Sequence, residues 1–308
     1  MNTDLVSGFS ERINRKITLK CSSLKNKTVK KVNRKYYNII HKINPKTNTV
    51  FFILSTGRCG SGYLSHILNL APNGVVEHEP QPGAESINHI GLDAFYANRS
   101  RFEAIEVEES KILSEHADVF ARHRTEIYGD GYNSLYPFAL AFRRHYRKRN
   151  IKTRFIHLMR HPKDCCPAIL RAEGPFGIGR RTNFGLRAPA LRQAESPAHA
   201  AANIWVKINE VISYQIELLE AEEPGSTAQS RLEKFGLIGH VRELYDWIGL
   251  RWPEGDVVRK ELENSQRSGK RNSYKDWLNR QGVPRVTERE KAVMAELTRP
   301  YLAMYGYA

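Results

Sequence analysis

The sequence predicts an α/β fold in which a parallel sheet is flanked by helices on both faces, with a basic N-terminal extension in front of it. Three observations predict this. Residues 50–54 (Val-Phe-Phe-Ile-Leu) form an unbroken apolar run, as expected of a strand buried on both faces. A Gly/Ser turn follows, and Leu64, Ile67 and Leu68 then recur at helical spacing. A second strand, turn and helix of the same kind appears at residues 155–171, and such alternation argues for parallel strands covered by helices.

The elements follow in order. The strand at 50–54 leads into a helix over about 62–71, and Pro72-Asn73-Gly74 turns into a short second strand at 75–79. Residues 84–123 read as mixed and mainly helical, with Glu106, Glu108 and Glu109 on a solvated face. Residues 125–128 read as a strand, followed by a helix through Phe138, Ala141 and Phe142. The strand at 155–159 enters a helix at Pro162, an N1 position where the missing N–H has no intrahelical partner to lose. Residues 173–195 are rich in Gly, Pro and Arg without apolar period, the pattern of a functional lid or a long loop. A helix over 198–221 carries Ile204, Trp205, Ile208, Val211 and Ile212 on one face. The strand expected next, at 226–230, is oddly polar, and a helix to Trp247 follows it.

The 308 residues carry a net charge of +15, unevenly placed. Residues 1–47 hold twelve Lys and Arg against Asp4 and Glu11, which accounts for +10 of that total. Val32, Tyr36, Ile39, Ile40 and Ile43 fall at helical spacing within this arm. A basic amphipathic helix there could lie on an anionic membrane or act as a nucleic-acid-binding arm, and the same residues fit a solvated extension. The remaining chain, 48–308, has no nucleic-acid recognition motif, so no nucleic-acid partner is expected. No apolar run approaches the ~20 residues that cross a bilayer, and no secretory signal is evident. Cys21, Cys59, Cys165 and Cys166 make no zinc pattern, and neighbouring cysteines rarely bridge each other. A reducing, cytoplasmic setting is expected, with peripheral membrane contact through the arm as one option.

The turn at 55–62 carries the chemistry. A strand–turn–helix of this kind presents backbone N–H groups at a helix N-terminus, where phosphate or sulfate binds. Gly57 and Gly62 stand five apart, as in a nucleotide-binding P-loop, but Tyr63 and Leu64 replace its Lys-[Ser/Thr] pair. Such a loop holds an anion yet lacks the cation for β/γ-phosphates and the hydroxyl for Mg²⁺.

The string Arg58-Cys59-Gly60-Ser61 resembles the 5′-phosphosulfate loop of sulfotransferases that use 3′-phosphoadenosine 5′-phosphosulfate (PAPS). Residues 154–164, a strand ending in Arg160-His-Pro-Lys163, are similar to that family's 3′-phosphate motif. The two motifs stand in the family's order, and the resemblance spans roughly residues 48–308. It implies a P-loop-like sheet and a donor site built from Gly57, Arg58, Cys59, Gly60, Ser61, Gly62 and Arg160. The basic loop Arg267-Ser-Gly269-Lys270 is similar to the segment that closes over the nucleotide, and residues 231–235 resemble the family's Arg-Tyr-Glu-Asp-Leu segment. The family expects a serine eight residues after the arginine of the second motif, where this chain has Ala168.

Sulfuryl transfer is expected to need no metal, and His66, His89, His116 and His123 show no ligand spacing. It requires positioning and fixed charge, as phosphoryl transfer does. Arg58 would neutralise the leaving oxygen. Glu79, in Glu77-His78-Glu79-Pro80, resembles the glutamate of carbohydrate sulfotransferases assigned as the base. Glu77 and His78 are its rivals, and strand alternation puts Glu77 and Glu79 on one face and His78 on the other. The expected activity is therefore PAPS-dependent sulfation of a hydroxyl on a carbohydrate or lipid-linked glycan. The alternatives are a P-loop nucleotide kinase and an inactive anion-binding or interaction protein.

Overall fold

The computed structural model describes residues 47–78, 95–96, 98–104, 125–131, 133–173, 194–267 and 285–307. Five strands, β1 (Thr49–Leu54), β2 (Gly74–Glu77), β3 (Ile127–Asp130), β4 (Lys152–Met159) and β5 (Thr227–Arg231), pair in the order β2-β3-β1-β4-β5. All four pairings are parallel. Every residue of β1 is buried, as its apolar run requires. From β1 the chain passes to β2, comes back inward to β3 beside β1, and then crosses to the other side of β1 for β4 and β5. In a sheet wound in two directions, the crevice opens at the carboxyl ends of the strands where the direction reverses.

Helix α1 (Ser61–Leu68) follows β1 and buries Leu64, Ile67 and Leu68. It ends earlier than the apolar spacing suggested, because the Asn69 side chain turns to accept the Val76 amide at 2.8 Å and ties the helix end to β2. Asn73 locks the following turn, accepting from the Arg251 amide at 2.8 Å and donating to the Gly249 carbonyl at 3.2 Å. Within 84–123 the described part is Phe95, Tyr96 and a short helix α2 (Arg99–Glu103). Strand β3 lies two residues beyond the expected position. Thr125 is consumed in bonds outside the ladder, its hydroxyl donating to the Asn73 carbonyl and its carbonyl accepting from Thr47. A 3₁₀ turn (Asn133–Phe138) and α3 (Ala139–Arg147) come next, and Phe142 of α3 stacks on Phe52 of β1 at 4.6 Å.

β4 leads to α4 (Pro162–Glu173), and α5 (Pro197–Glu222) packs along α4 and the sheet. β5 is a genuine strand despite its polarity, because among the described residues it lies at the edge of the sheet and its Thr227 and Ser230 groups are satisfied locally. Thr227 gives both its amide and its hydroxyl to Glu220 at 2.7 and 2.6 Å, and Ser230 Oγ meets His240 Nε2 at 2.8 Å. After a 3₁₀ turn (Leu232–Gly236) come α6 (Ile238–Ile248) and α7 (Val257–Arg267). Helix α8 (Glu288–Thr298) opens on a capping box between Thr287 and Glu290 and packs on α4 and α5. The chain then returns to the sheet, where Tyr305 is buried edge-on to Trp205 at 5.4 Å. Among the described residues no helix is long and apolar enough to cross a membrane.

Candidate functional site

The loop after β1 is shaped by three left-handed residues, Gly57 (φ 76°), Arg58 (φ 57°) and Gly60 (φ 90°). Arginine rarely adopts this conformation, and a non-glycine residue held there marks a constrained site. At Gly60 a Cβ would also stand 2.6 Å from Cδ1 of Leu232, so a side chain there would require Leu232 to move. Gly60 caps α1 without any side-chain bond, and the helix's first backbone bond runs from the Leu64 amide to the Gly60 carbonyl at 2.9 Å. The N–H groups ahead of that bond are the donors that an anion meets at a helix start. Leu64 points into the core, and Tyr63 lies against Phe235 with ring centroids 6.2 Å apart. Neither position offers the lysine cation or the Ser/Thr hydroxyl that serves Mg²⁺ in a nucleotide-binding P-loop.

The end of β4 meets this loop directly. Arg160, half-buried just past the end of β4, donates from Nη1 to the Arg58 carbonyl at 3.2 Å. Trp205 fixes Arg160 from behind by donating its indole N–H to the Arg160 carbonyl at 3.1 Å. The first turn of α4 lies under the loop. Thr56 Oγ1 is 3.0 Å from Cys59 Sγ and 3.6 Å from Cys165 Sγ, and both thiols are fully buried. Ala168 is half-buried on α4 and offers no hydroxyl.

Ser61, the first residue of α1, places Oγ 3.1 Å from His78 Nε2, and the His78 ring also rests against Gly62. His78 is exposed just beyond β2. Glu77 turns the other way and accepts from the Tyr128 hydroxyl at 3.2 Å, so the two residues separate as strand alternation requires. Glu77 pairs in register with buried Asp130 of β3. Burial, and then the Asp130 and Glu77 carboxylates, push the Tyr128 phenol well above its ordinary range. Glu79 lies outside the described residues, as do Gly269, Lys270 and 174–193; Arg267 is the last residue of α7.

Several neighbours of the site were not apparent from sequence. The His161 amide donates to Glu233 Oε1 at 2.7 Å, and the His161 ring meets Tyr307 edge-on at 4.9 Å. Burial and the nearby Lys163 charge lower the His161 pKa against the opposing carboxylates of Glu233 and Asp164. The Arg231 guanidinium lies over the Tyr307 ring at 4.8 Å. Glu233 falls in the segment 231–235 singled out above, whereas nothing in the sequence marks Tyr307 or Cys165 as neighbours of the loop. Among the described residues no group of three or more His, Cys, Asp or Glu could hold a metal ion.

No family model and no curated protein matches the chain. Among solved structures, it is similar to the crystal structure of sulfotransferase STF1 from Mycobacterium tuberculosis H37Rv. That match has 13% sequence identity and a TM-score of 0.42, over 75% of this chain and 76% of that one.

Proposed function

We propose that the protein is a sulfotransferase that moves a sulfuryl group from PAPS to an acceptor hydroxyl, on a carbohydrate or a lipid-linked glycan. The contact between Arg160 and the Arg58 carbonyl carries this reading. It joins two anion-binding elements, one after β1 and one after β4, into a single edge suited to a nucleotide with phosphates at both its 5′ and 3′ positions. A half-buried guanidinium at that edge fits a phosphate monoester.

In this reading the amides of residues 57–62 and the Ser61 hydroxyl hold the 5′-phosphate, and Arg160 takes the 3′-phosphate, without help from a hydroxyl at Ala168. Arg267, Gly269 and Lys270 close over the nucleotide. Glu79 accepts the proton of the acceptor hydroxyl as its oxygen attacks sulfur in line. Arg58 offsets the charge that gathers on the bridging oxygen while the bond from that oxygen to sulfur breaks. One fixed donor or cation of this kind contributes ~3–4 kcal/mol in a transition state. Tyr63 and Leu64, packed as described, count against a Mg²⁺-nucleotide kinase.

Thermal-shift titration tests the donor. The desulfated product 3′,5′-ADP should raise Tm without metal, by the equivalent of about 2.7 kcal/mol at a hundredfold excess over Kd, and ATP with Mg²⁺ should do much less. Equal responses, or none to 3′,5′-ADP, would remove the assignment. For the base, Glu79→Gln should lower turnover about 10²–10⁴-fold while leaving 3′,5′-ADP affinity within a few-fold. Full activity in that variant, with loss in Glu77→Gln or His78→Gln, would move the role to one of those rivals.

A further inference from the structure

Beneath the anion loop lie two thiols that the proposed chemistry leaves unused. Cys59 Sγ and Cys165 Sγ stand 3.6 Å apart, one in the loop and the other in the first turn of α4. A disulfide has an S–S length of about 2.05 Å, so an approach of roughly 1.5 Å would join them. Cys59 is fully buried, but Arg58 and Gly60 on either side of it are half-exposed, so it lies one residue behind the loop surface. The pair is also wired into the loop, because the Cys165 thiol donates to the Gly57 carbonyl at 3.6 Å and Thr56 Oγ1 bonds both sulfurs.

We propose that Cys59 and Cys165 form a redox modification site, a reversible disulfide that ties the anion loop to α4 and weakens anion binding. The oxidant is a small hydroperoxide. The Cys59 sulfur attacks the O–O bond of hydrogen peroxide, giving a sulfenic acid and one water. Cys165 then attacks that sulfur and gives up its proton as the second water leaves. Two thiols lose two electrons and two protons, and the peroxide becomes two waters. A dithiol reductant supplies the electrons and protons that reverse the step.

The surroundings assign the order of attack. Burial raises the Cys59 pKa, but bonds to Cys165 and Thr56, with the charge of Arg160, more than offset it and leave this thiol below its ordinary value. The bond to Cys59 and burial push Cys165 well up, so it keeps its proton until it attacks. Once the disulfide forms, neither sulfur carries hydrogen. Gly57 then loses its thiol donor, and Thr56 loses whichever thiol proton it accepted. Anion affinity should fall about tenfold, the factor that ~1.4 kcal/mol represents.

The effect on the donor rests on the sulfotransferase reading, whereas the disulfide does not. The full chain, oxidised with hydrogen peroxide, alkylated and digested, should give a linked Cys59–Cys165 peptide that dithiothreitol removes. Hydrogen exchange at residues 56–62 should change with it, and 3′,5′-ADP should bind about tenfold more weakly until reduction. Cys165→Ala should form no such link, and the wild-type peptide map and exchange decide the matter even if that variant fails to fold. Absence of the link, a link to Cys21 or Cys166 instead, or unchanged exchange and affinity in the linked protein would overturn the proposal. If reduced protein does not bind 3′,5′-ADP at all, the donor reading fails, and the peptide map and exchange still decide the disulfide.

Discussion

The Arg160 guanidinium donates to the Arg58 carbonyl at 3.2 Å, so a side chain following β4 holds the backbone of the loop that follows β1. Under the proposed function Arg160 would have two tasks, to meet a 3′-phosphate and to keep the loop in shape. Arg160→Ala should weaken 3′,5′-ADP binding about 10²-fold, since hydrogen bonds to charged groups contribute ~1.5–3 kcal/mol each. AMP, which lacks the 3′-phosphate, should lose about fivefold through the loop alone. Calorimetric titration of both nucleotides separates the tasks, and equal losses would confine Arg160 to shaping the loop.

Gly60 combines a left-handed backbone with contact against Leu232. Gly60→Ala should cost about 1–3 kcal/mol in urea unfolding, from backbone strain and overpacking together. Adding Leu232→Ala should recover the packing part and leave about 1 kcal/mol of backbone cost beyond what Leu232→Ala costs alone. Complete recovery in the double variant would show that the left-handed conformation is not a constraint.

His157 of β4 is fully buried, with Nε2 2.9 Å from Asn209 Oδ1, and burial lowers its pKa to about 4 despite that bond. Between about pH 6.5 and 4 the unfolded chain binds a proton here that the folded chain refuses. Stability is therefore full above pH 6.5 and falls as the pH drops, by about 3 kcal/mol in all from this group. Urea unfolding across that range should show the slope, and His157→Gln should flatten it. An equal slope in the variant would assign the loss to other groups.

The arm at residues 1–46 should be separable from the fold. Thr47 is buried and donates to the Thr125 carbonyl at 2.7 Å, and the Lys152 amide donates to the Asn48 carbonyl at 2.9 Å, so the sheet needs the chain from Thr47 onward. A protein beginning at Lys46 should fold and bind 3′,5′-ADP normally. It should also lose salt-sensitive sedimentation with anionic vesicles, to which each basic residue near the surface contributes about 1 kcal/mol. Unfolding of that shortened protein would make Tyr36, Ile39, Ile40 and Ile43 part of the core.

What could be read in the sequence depended on how local the signal was. β1, α1, β4 and α4 were legible because each is an apolar run or a 3.6-residue pattern next to glycine or proline. The short strand β3 shifted by two residues, because Thr125 bonds outside the ladder. β5 was obscured by polar residues whose partners, Glu220 and His240, lie on neighbouring helices and carry no mark in a linear reading. In the site, the loop from Gly57 to Gly62 and Arg160 each stand in a motif. Glu233 too falls in a segment the sequence marked, whereas Cys165 and Tyr307 come from segments 100 or more residues from the loop, and only the folded chain sets them beside the site.

The polarity of β5 also bears on how the protein behaves at high concentration. An edge strand offers unpaired backbone groups on which another chain can build, and apolar outer strands are common seeds of aggregation. Here that strand reads Thr-Ala-Gln-Ser-Arg, and its two hydroxyl side chains, Thr227 and Ser230, are held by Glu220 and His240. A second sheet that docked there would find the Thr227 amide already engaged by Glu220 and would gain little apolar contact. The feature that hid the strand from a hydrophobicity reading is thus the one that discourages this border of the sheet from growing into an assembly.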